Sequence, residues 1–136
     1  MTTTNTTAIK AARTILASQS LAAGATARGA IDLRTSLGGL ATLRITNGAT
    51  GPTAQCVCRV MVAHDTDVTP ATGARGATWK QIWEFGGGTA ANAITEQPFE
   101  FGPGVMHMQA EFTGNTGQAV TIEASVSEVT SARTQP

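Results

Sequence analysis

Tyrosine is absent from this sequence of 136 residues, and only 13% of the residues are charged, which is roughly half the usual fraction in a soluble domain. Leu, Glu and Lys, the residues that form most long surface helices, are also scarce, and their scarcity argues against a helical protein. Ala, Thr and Gly are abundant instead. Small and β-branched side chains with many glycines favour packed sheets joined by tight turns.

An excess of charge of either sign is missing as well. Nine cationic residues balance nine acidic ones, so the net charge is zero, and no electrostatic attraction directs the chain to nucleic acid or to an anionic membrane. Seven of the nine cations are Arg, whose planar guanidinium forms fixed ion pairs with carboxylates. Because a surface so poor in charge favours self-association or docking, we expect a homo-oligomer, either a dimer or a trimer.

Signals for membranes and export are not found. The sequence has no run of 18 apolar residues, and its start lacks the basic residues and the apolar stretch of a signal peptide. These absences predict a protein that is made and kept in the cytosol.

Residue patterns typical of catalysis or metal binding are missing too. Cys56 and Cys58 are the only cysteines. On a strand their Cα atoms would lie about 7 Å apart, which is too far for a disulfide between them. A zinc site usually has two closely spaced pairs of ligands, and here the second pair is absent. Gly86 to Gly88 lacks the Lys and Ser or Thr of a phosphate loop, and no Ser has a Gly-x-Ser-x-Gly frame. We therefore expect buried core thiols and no enzymatic activity, catalytic residue, metal or cofactor.

The stretch from Thr53 to Ala63 has the strongest strand pattern in the chain. One face at a spacing of two residues is wholly apolar, and the other is apolar except for Arg59. A strand that is apolar on both faces is typical of the interior of a sheet. This segment is therefore predicted to be a central strand, with Cys56, Cys58, Val60 and Val62 on its core face.

Apolar and polar residues alternate in about seven or eight segments, and turns separate these segments at spacings of about 8 to 12 residues. This spacing predicts an all-β fold, an antiparallel β-sandwich that is jelly-roll-like with an extended N-terminal arm. Asn47-Gly48 predicts a hairpin before the central strand, and His107 is expected on the outer face of its strand with Gln109 and Glu111. The predicted core consists of Leu43, Ile45, Cys56, Val60, Met108, Phe112, Ile122 and Val126.

One domain is expected over residues 13–130, between a polar arm at 1–12 and a short tail at 131–136. Residues 8–21 fit a helix or a strand, and we favour a strand from Thr14. Residues 64–78 form a loop whose length is typical of functional or disordered loops. His64, Asp65 and Asp67 at its start are interpreted as turn formers rather than metal ligands.

The segment 79–85 is predicted to be a strand. A spacing of two residues puts Trp79, Gln81, Trp83 and Phe85 on one face, so both tryptophans are expected to share that face. Two interpretations are open. The tryptophans can pack in the core beside Phe85, or they can form a platform on which a carbohydrate stacks.

The segments Leu16 to Leu33, Gly76 to Phe85 and Met108 to Ser127 resemble small virion structural proteins of tailed bacteriophages, the capsid-decorating or cement proteins. In that family an opening strand, a Trp-bearing strand after a loop and a final hairpin recur on a jelly roll or related sandwich. The resemblance implies a protein made in the host cytoplasm that binds the major capsid protein on the capsid exterior and stabilises the shell. A phage tail or fibre module and a carbohydrate-binding module that uses Trp79 and Trp83 are the alternatives.

The polar arm and the long loop are the predicted contacts with the capsid. Such segments cannot order themselves, and docking would let their backbone groups form hydrogen bonds with a partner. The arginines near them could add charge-assisted contacts. The candidate partner-binding residues are Thr2, Thr3, Thr4, Asn5, Arg13, Arg28, Asp65, Asp67 and Arg75.

Overall fold

A computed structural model describes residues 5–63 and 79–135 of the chain, with side chains described over 11–63 and 79–130. These ranges contain eight β-strands and no helix. The strands are β1 Asn5–Leu21, β2 Ala27–Asp32, β3 Gly39–Asn47, β4 Val57–Ala63, β5 Lys80–Gly86, β6 Ile94–Phe101, β7 His107–Thr113 and β8 Val120–Gln135.

The strands form two antiparallel sheets of four strands each. The first sheet has the order β1-β8-β3-β6 and the second has the order β2-β7-β4-β5. The pairs are nested, because β1 pairs with β8, β2 with β7, β3 with β6 and β4 with β5. This nested pairing is the topology of a jelly roll, an eight-stranded sandwich of two antiparallel sheets. The prediction of an all-β, jelly-roll-like sandwich is confirmed.

The core lies between the two sheets and contains the predicted residues. All eight are at most 2% exposed, and β4 lies inside the second sheet between β7 and β5, as expected for the central strand. Cys56 and Cys58 are buried free thiols. Burial raises the pKa of Cys56 to about 11 and raises the pKa of Cys58 further, because a thiolate is poorly solvated in the core.

The hairpin predicted at Asn47-Gly48 is wrong, and so is the final hairpin that the resemblance implies between β7 and β8. β3 and β4 lie in different sheets, so Asn47-Gly48 opens a crossing between sheets, and β7 and β8 are separated in the same way. Asn47 is buried, and its side-chain amide donates to the carbonyls of Gly87, Gly88 and Ala90 at 3.3, 3.2 and 2.9 Å. This asparagine therefore ties the crossing to the loop after β5.

The tryptophans do not share one face, because the pairing of β4 with β5 is irregular. Val60 lies opposite Trp83, but Met61 lies opposite Gln81, so one residue of β5 is skipped. Trp83 packs against the main core, where its ring stacks 5.8 Å from that of Phe99. Trp79 is 3% exposed in a separate cluster with Met61 and Ala63. The shared face predicted from the alternation is wrong.

The first and last strands are longer than the sandwich. Residues 5–12, assigned above to an arm, form the start of β1, and residues 131–135, assigned to a tail, form the end of β8. β3 pairs with β8 only as far as Gly39 opposite Glu128. Beyond that point residues 5–9 pair with residues 131–135 as two strands alone, a segment that we call the terminal ribbon. Five residues of strand span about 16 Å.

Candidate functional site

The terminal ribbon leaves the sandwich at an ion pair whose carboxylate is buried. The side chain of Glu128 is 1% exposed and accepts a hydrogen bond from Nε of Arg13 at 2.5 Å. Nη2 of Arg13 also donates to the carbonyl oxygen of Asp32 at 2.6 Å. Arg13 therefore joins β1, β8 and the end of β2, and it anchors the ribbon to both sheets.

A groove with exposed apolar residues lies beside the base of the ribbon. Its volume is about 300 Å³, and it is lined by Gly39, Leu40, Glu100, Ser127, Glu128 and Val129. Leu37, whose backbone N–H donates to the carbonyl of Val129 at 2.6 Å, is 47% exposed, and Leu40 is 36% exposed. Two exposed leucines next to a groove are more typical of a contact surface than single scattered apolar residues are.

We call this region the ribbon end: residues 5–12, 37–40 and 127–135. It combines backbone edges that can accept another strand with an apolar surface and a buried carboxylate. Such a combination is suited to binding another protein chain. The ribbon end is therefore the candidate interaction site.

Charged side chains also converge on the outer face of the second sheet. The buried side chain of Glu111 accepts from Nε of Arg28 at 2.7 Å and from Nη1 of Arg59 at 3.1 Å. Nε of Arg59 donates to Glu84 at 2.9 Å, and Gln81 donates to the same Glu84 oxygen at 3.3 Å. Both oxygens of Glu111 are occupied by guanidinium groups, which makes it a cross-link between strands rather than a proton acceptor for a substrate.

The rest of that face is covered. His107, Gln109 and Glu111 on β7 lie on the predicted outer face, but they are only 7%, 0% and 5% exposed. Met61 on β4 and Trp79, which precedes β5, are buried as well. Alternation identified the correct side of β7, but it cannot tell a solvated outer face from one that other parts of the chain cover.

Of the sequence-predicted partner residues that the structure describes, Asn5 and Arg13 lie at the ribbon end or its base and Arg28 does not. Thr2, Thr3, Thr4, Asp65, Asp67 and Arg75 lie outside the described residues. Asn5 is the first residue of β1, opposite Gln135. Arg13 lies at the base of the ribbon and Arg28 lies on the second sheet, and each forms an ion pair within the chain. The structure does not bring these two arginines together.

Sequence reasoning missed Glu128 and the two exposed leucines. Glu128 had a signal, since it continues the inward register of Val120, Ile122, Ala124 and Val126, where a carboxylate requires a partner. Leu37 and Leu40 had none, because they flank a glycine turn whose position relative to β8 depends on the fold.

In the described part of the chain, no group of three or more His, Cys, Asp and Glu side chains is arranged to hold a metal ion. Among the same residues there is no helix with the length and hydropathy needed to cross a membrane.

No family model and no curated protein matches this sequence. Among solved structures, the chain is similar to the C-terminal family 22 carbohydrate-binding module of Clostridium thermocellum Xyn10B, which was studied for the role of conserved amino acids of its cleft in ligand binding. The TM-score is 0.48 and the sequence identity is 11%, over 93% of this chain and 85% of that one.

Proposed function

We propose that this protein is a virion structural protein of a tailed bacteriophage, a decoration or cement protein that binds the major capsid protein on the capsid exterior and stabilises the shell. It acts by binding alone, without a cofactor, and does not bind nucleic acid or membrane. It is made in the host cytoplasm.

The observation that carries the proposal is the ribbon end. A jelly roll of 136 residues has a rigid body, and the terminal ribbon extends it by about 16 Å beyond β3. An element that projects from a rigid body can reach across a boundary between two subunits of a shell. The exposed Leu37 and Leu40 beside it supply apolar area for such a contact.

Stabilisation then follows from mass action. A ligand that binds the assembled shell and not free subunits shifts the equilibrium toward the shell. Each copy can bind modestly, because ordering a polar segment on binding costs about 1 to 2 kcal/mol per residue in backbone entropy. Occupancy of many equivalent sites still adds up over the lattice.

A tail or fibre module is the main alternative, since the same projecting ribbon could join tail subunits. The carbohydrate-binding alternative has less support, because Trp79 is buried and Trp83 packs in a different cluster. The two rings therefore do not form the flat platform that stacking on a sugar needs.

The test compares capsid binding by three variants with that of the wild-type protein. Deletion of residues 1–7 removes part of the terminal ribbon, and Leu40→Glu places a charge in the groove. Ile94→Glu is the matched control, because Ile94 is 65% exposed on the first sheet at the opposite end of β6 from the groove. The readouts are the copy number on purified capsids of the phage that encodes the protein and the temperature at which those particles release DNA.

We expect the deletion and Leu40→Glu to lower both values and Ile94→Glu to leave them at the wild-type level. Wild-type protein that fails to sediment with capsids, or that sediments with isolated tails instead, would contradict the decoration function. A glycan array that gives specific binding would favour the carbohydrate-binding alternative.

A further inference from the structure

The outer edge of β1 is covered along the sandwich body. Gly29 of β2 lies against the backbone carbonyl of Ile15 and the side chain of Leu16, so closely that a Cβ at position 29 would be 2.7 Å from Leu16 Cγ. Arg13 reaches across to the carbonyl of Asp32 at 2.6 Å. The register of β1 with β8 also shifts three times between residues 9 and 19. Bulges and side-chain cover of this kind prevent another strand from adding to an edge.

The edge of the terminal ribbon differs from the rest of β1 in its register. Residues 5–9 keep one unbroken register with β8, from Asn5 opposite Gln135 to Ile9 opposite Ser131. The segment NTTAI contains no charged residue, proline or glycine, and Thr and Ile favour strands. In the ranges 5–63 and 79–135, no strand pairs with the outer edge of β1. A regular, uncharged edge that no described strand covers is suited to strand pairing at that place.

We propose that the partner is a second copy of this chain, which pairs its own residues 5–9 antiparallel to the first across a twofold axis. The two terminal ribbons then join into one four-stranded antiparallel sheet, with the order β8, β1, β1 of the second copy and β8 of the second copy. An isologous contact of this kind closes after two chains and forms a dimer.

The residue pattern of the segment suits pairing with itself. A twofold axis that passes beside Thr7 places Thr7 opposite Thr7 of the other copy. The same axis places Asn5 opposite Ile9 and Thr6 opposite Ala8. No position brings like charges together, and a Thr-Thr cross-strand pair is favourable. The net charge of zero adds no long-range repulsion between copies. A partner with a different sequence could also pair here, but a second copy brings the same uncharged segment, whose edge no described strand covers.

The test is the self-association of the full chain without capsids, measured by sedimentation equilibrium. We expect a wild-type dimer in equilibrium with monomer. Thr7→Lys and Thr7→Glu each place like charges opposite one another and should weaken the dimer about fivefold, as expected for an unfavourable cross-strand pair of about 1 kcal/mol. An equimolar mixture of the two variants should restore association, because Lys then lies opposite Glu.

Ser18→Lys is the control, since Ser18 is exposed on the same strand beside the covered part of the edge. Thr7→Cys gives an independent readout: position 7 meets its own copy at a Cα distance that allows a disulfide, whereas Ser18→Cys should stay uncoupled. The native thiols are buried and contribute little background. A wild-type monomer, a trimer, equal weakening by Ser18→Lys or no rescue in the mixture would each overturn the proposal. Because no capsid is present, these outcomes are independent of the decoration function.

Discussion

Nε of Arg13 lies 2.5 Å from Oε1 of Glu128, and this contact joins the strand that opens the chain to the strand that ends it. The carboxylate is 1% exposed, whereas the arginine side chain is 39% exposed. Oε2 of Glu128 is buried and has no hydrogen-bond partner among the described residues. The charge of Glu128 therefore depends on one guanidinium, and the terminal ribbon depends on the same contact for its direction.

Arg13→Ala should destabilise the protein by about 3 kcal/mol, because it leaves a buried carboxylate without its counter-charge. Adding Glu128→Leu to this variant should recover part of the loss, since the buried charge is then removed as well. Urea unfolding of the two variants measures the difference. Arg44→Ala is the control: its partner Glu123 is 35% exposed, and such a pair contributes at most about 1 kcal/mol. Equal losses for Arg13→Ala and Arg44→Ala would contradict the role assigned to burial.

Ile122→Asp should prevent folding, because Ile122 is fully buried between the sheets and the new carboxylate would have no partner there. The cost exceeds what a domain with about 5 to 15 kcal/mol of total stability can absorb. Circular dichroism and a urea titration of the purified variant provide the measurement. Ile94→Asp makes the same chemical change at a position that is 65% exposed, and it should change the stability by no more than about 0.5 kcal/mol. A cooperatively folded Ile122→Asp variant would show that the register of β8 is wrong.

Gly29→Ala should destabilise the protein by about 1 to 3 kcal/mol, the usual cost of overpacking. The added methyl group would lie 2.7 Å from Cγ of Leu16 and closer still to the backbone carbonyl of Ile15. β1 and β2 would have to move apart. Gly102→Ala is the matched control, since nothing lies within 4 Å of a Cβ at that position. Thermal unfolding of both variants would settle the point, and equal midpoints would mean that β2 does not press on β1.

The sequence alone predicted the strands and the core, because both depend on local alternation. Val60, Phe112 and Ile122 follow a period of two that persists whichever strand they pair with. Pairing partners could not be obtained in this way. Asn47-Gly48 is a favourable hairpin sequence, yet the chain crosses there to the other sheet, since β3 finds its partners in β8 and β6, far away in sequence.

The candidate site was less predictable than the fold for the same reason. Glu128 could have been recognised as a charge at an inward position, but its partner Arg13 lies 115 residues away. The face on which Trp79 lies depends on an irregularity between Val60 and Met61, and no turn residue in β5 marks it. Long-range pairings and single skipped residues are properties of the folded chain, and alternation does not contain them.

The buried thiols should make the protein less stable in alkali. The pKa of Cys56 is raised by burial to about 11 in the folded protein, whereas an unfolded thiol titrates at about 8.5. Between these values the unfolded chain has lost the proton and the folded one keeps it, so the free energy of unfolding falls as the pH rises. Cys58, whose pKa is raised in the same direction, adds to the effect, up to about 1.4 kcal/mol per pH unit for each thiol. The absence of tyrosine removes a side chain that would otherwise titrate in this window.

Urea unfolding at a series of pH values between about 8 and 11 measures the slope of the unfolding free energy against pH. The double variant Cys56→Ala and Cys58→Ala should be less stable at neutral pH but should show a smaller slope, and an unchanged slope would contradict the assignment to the thiols.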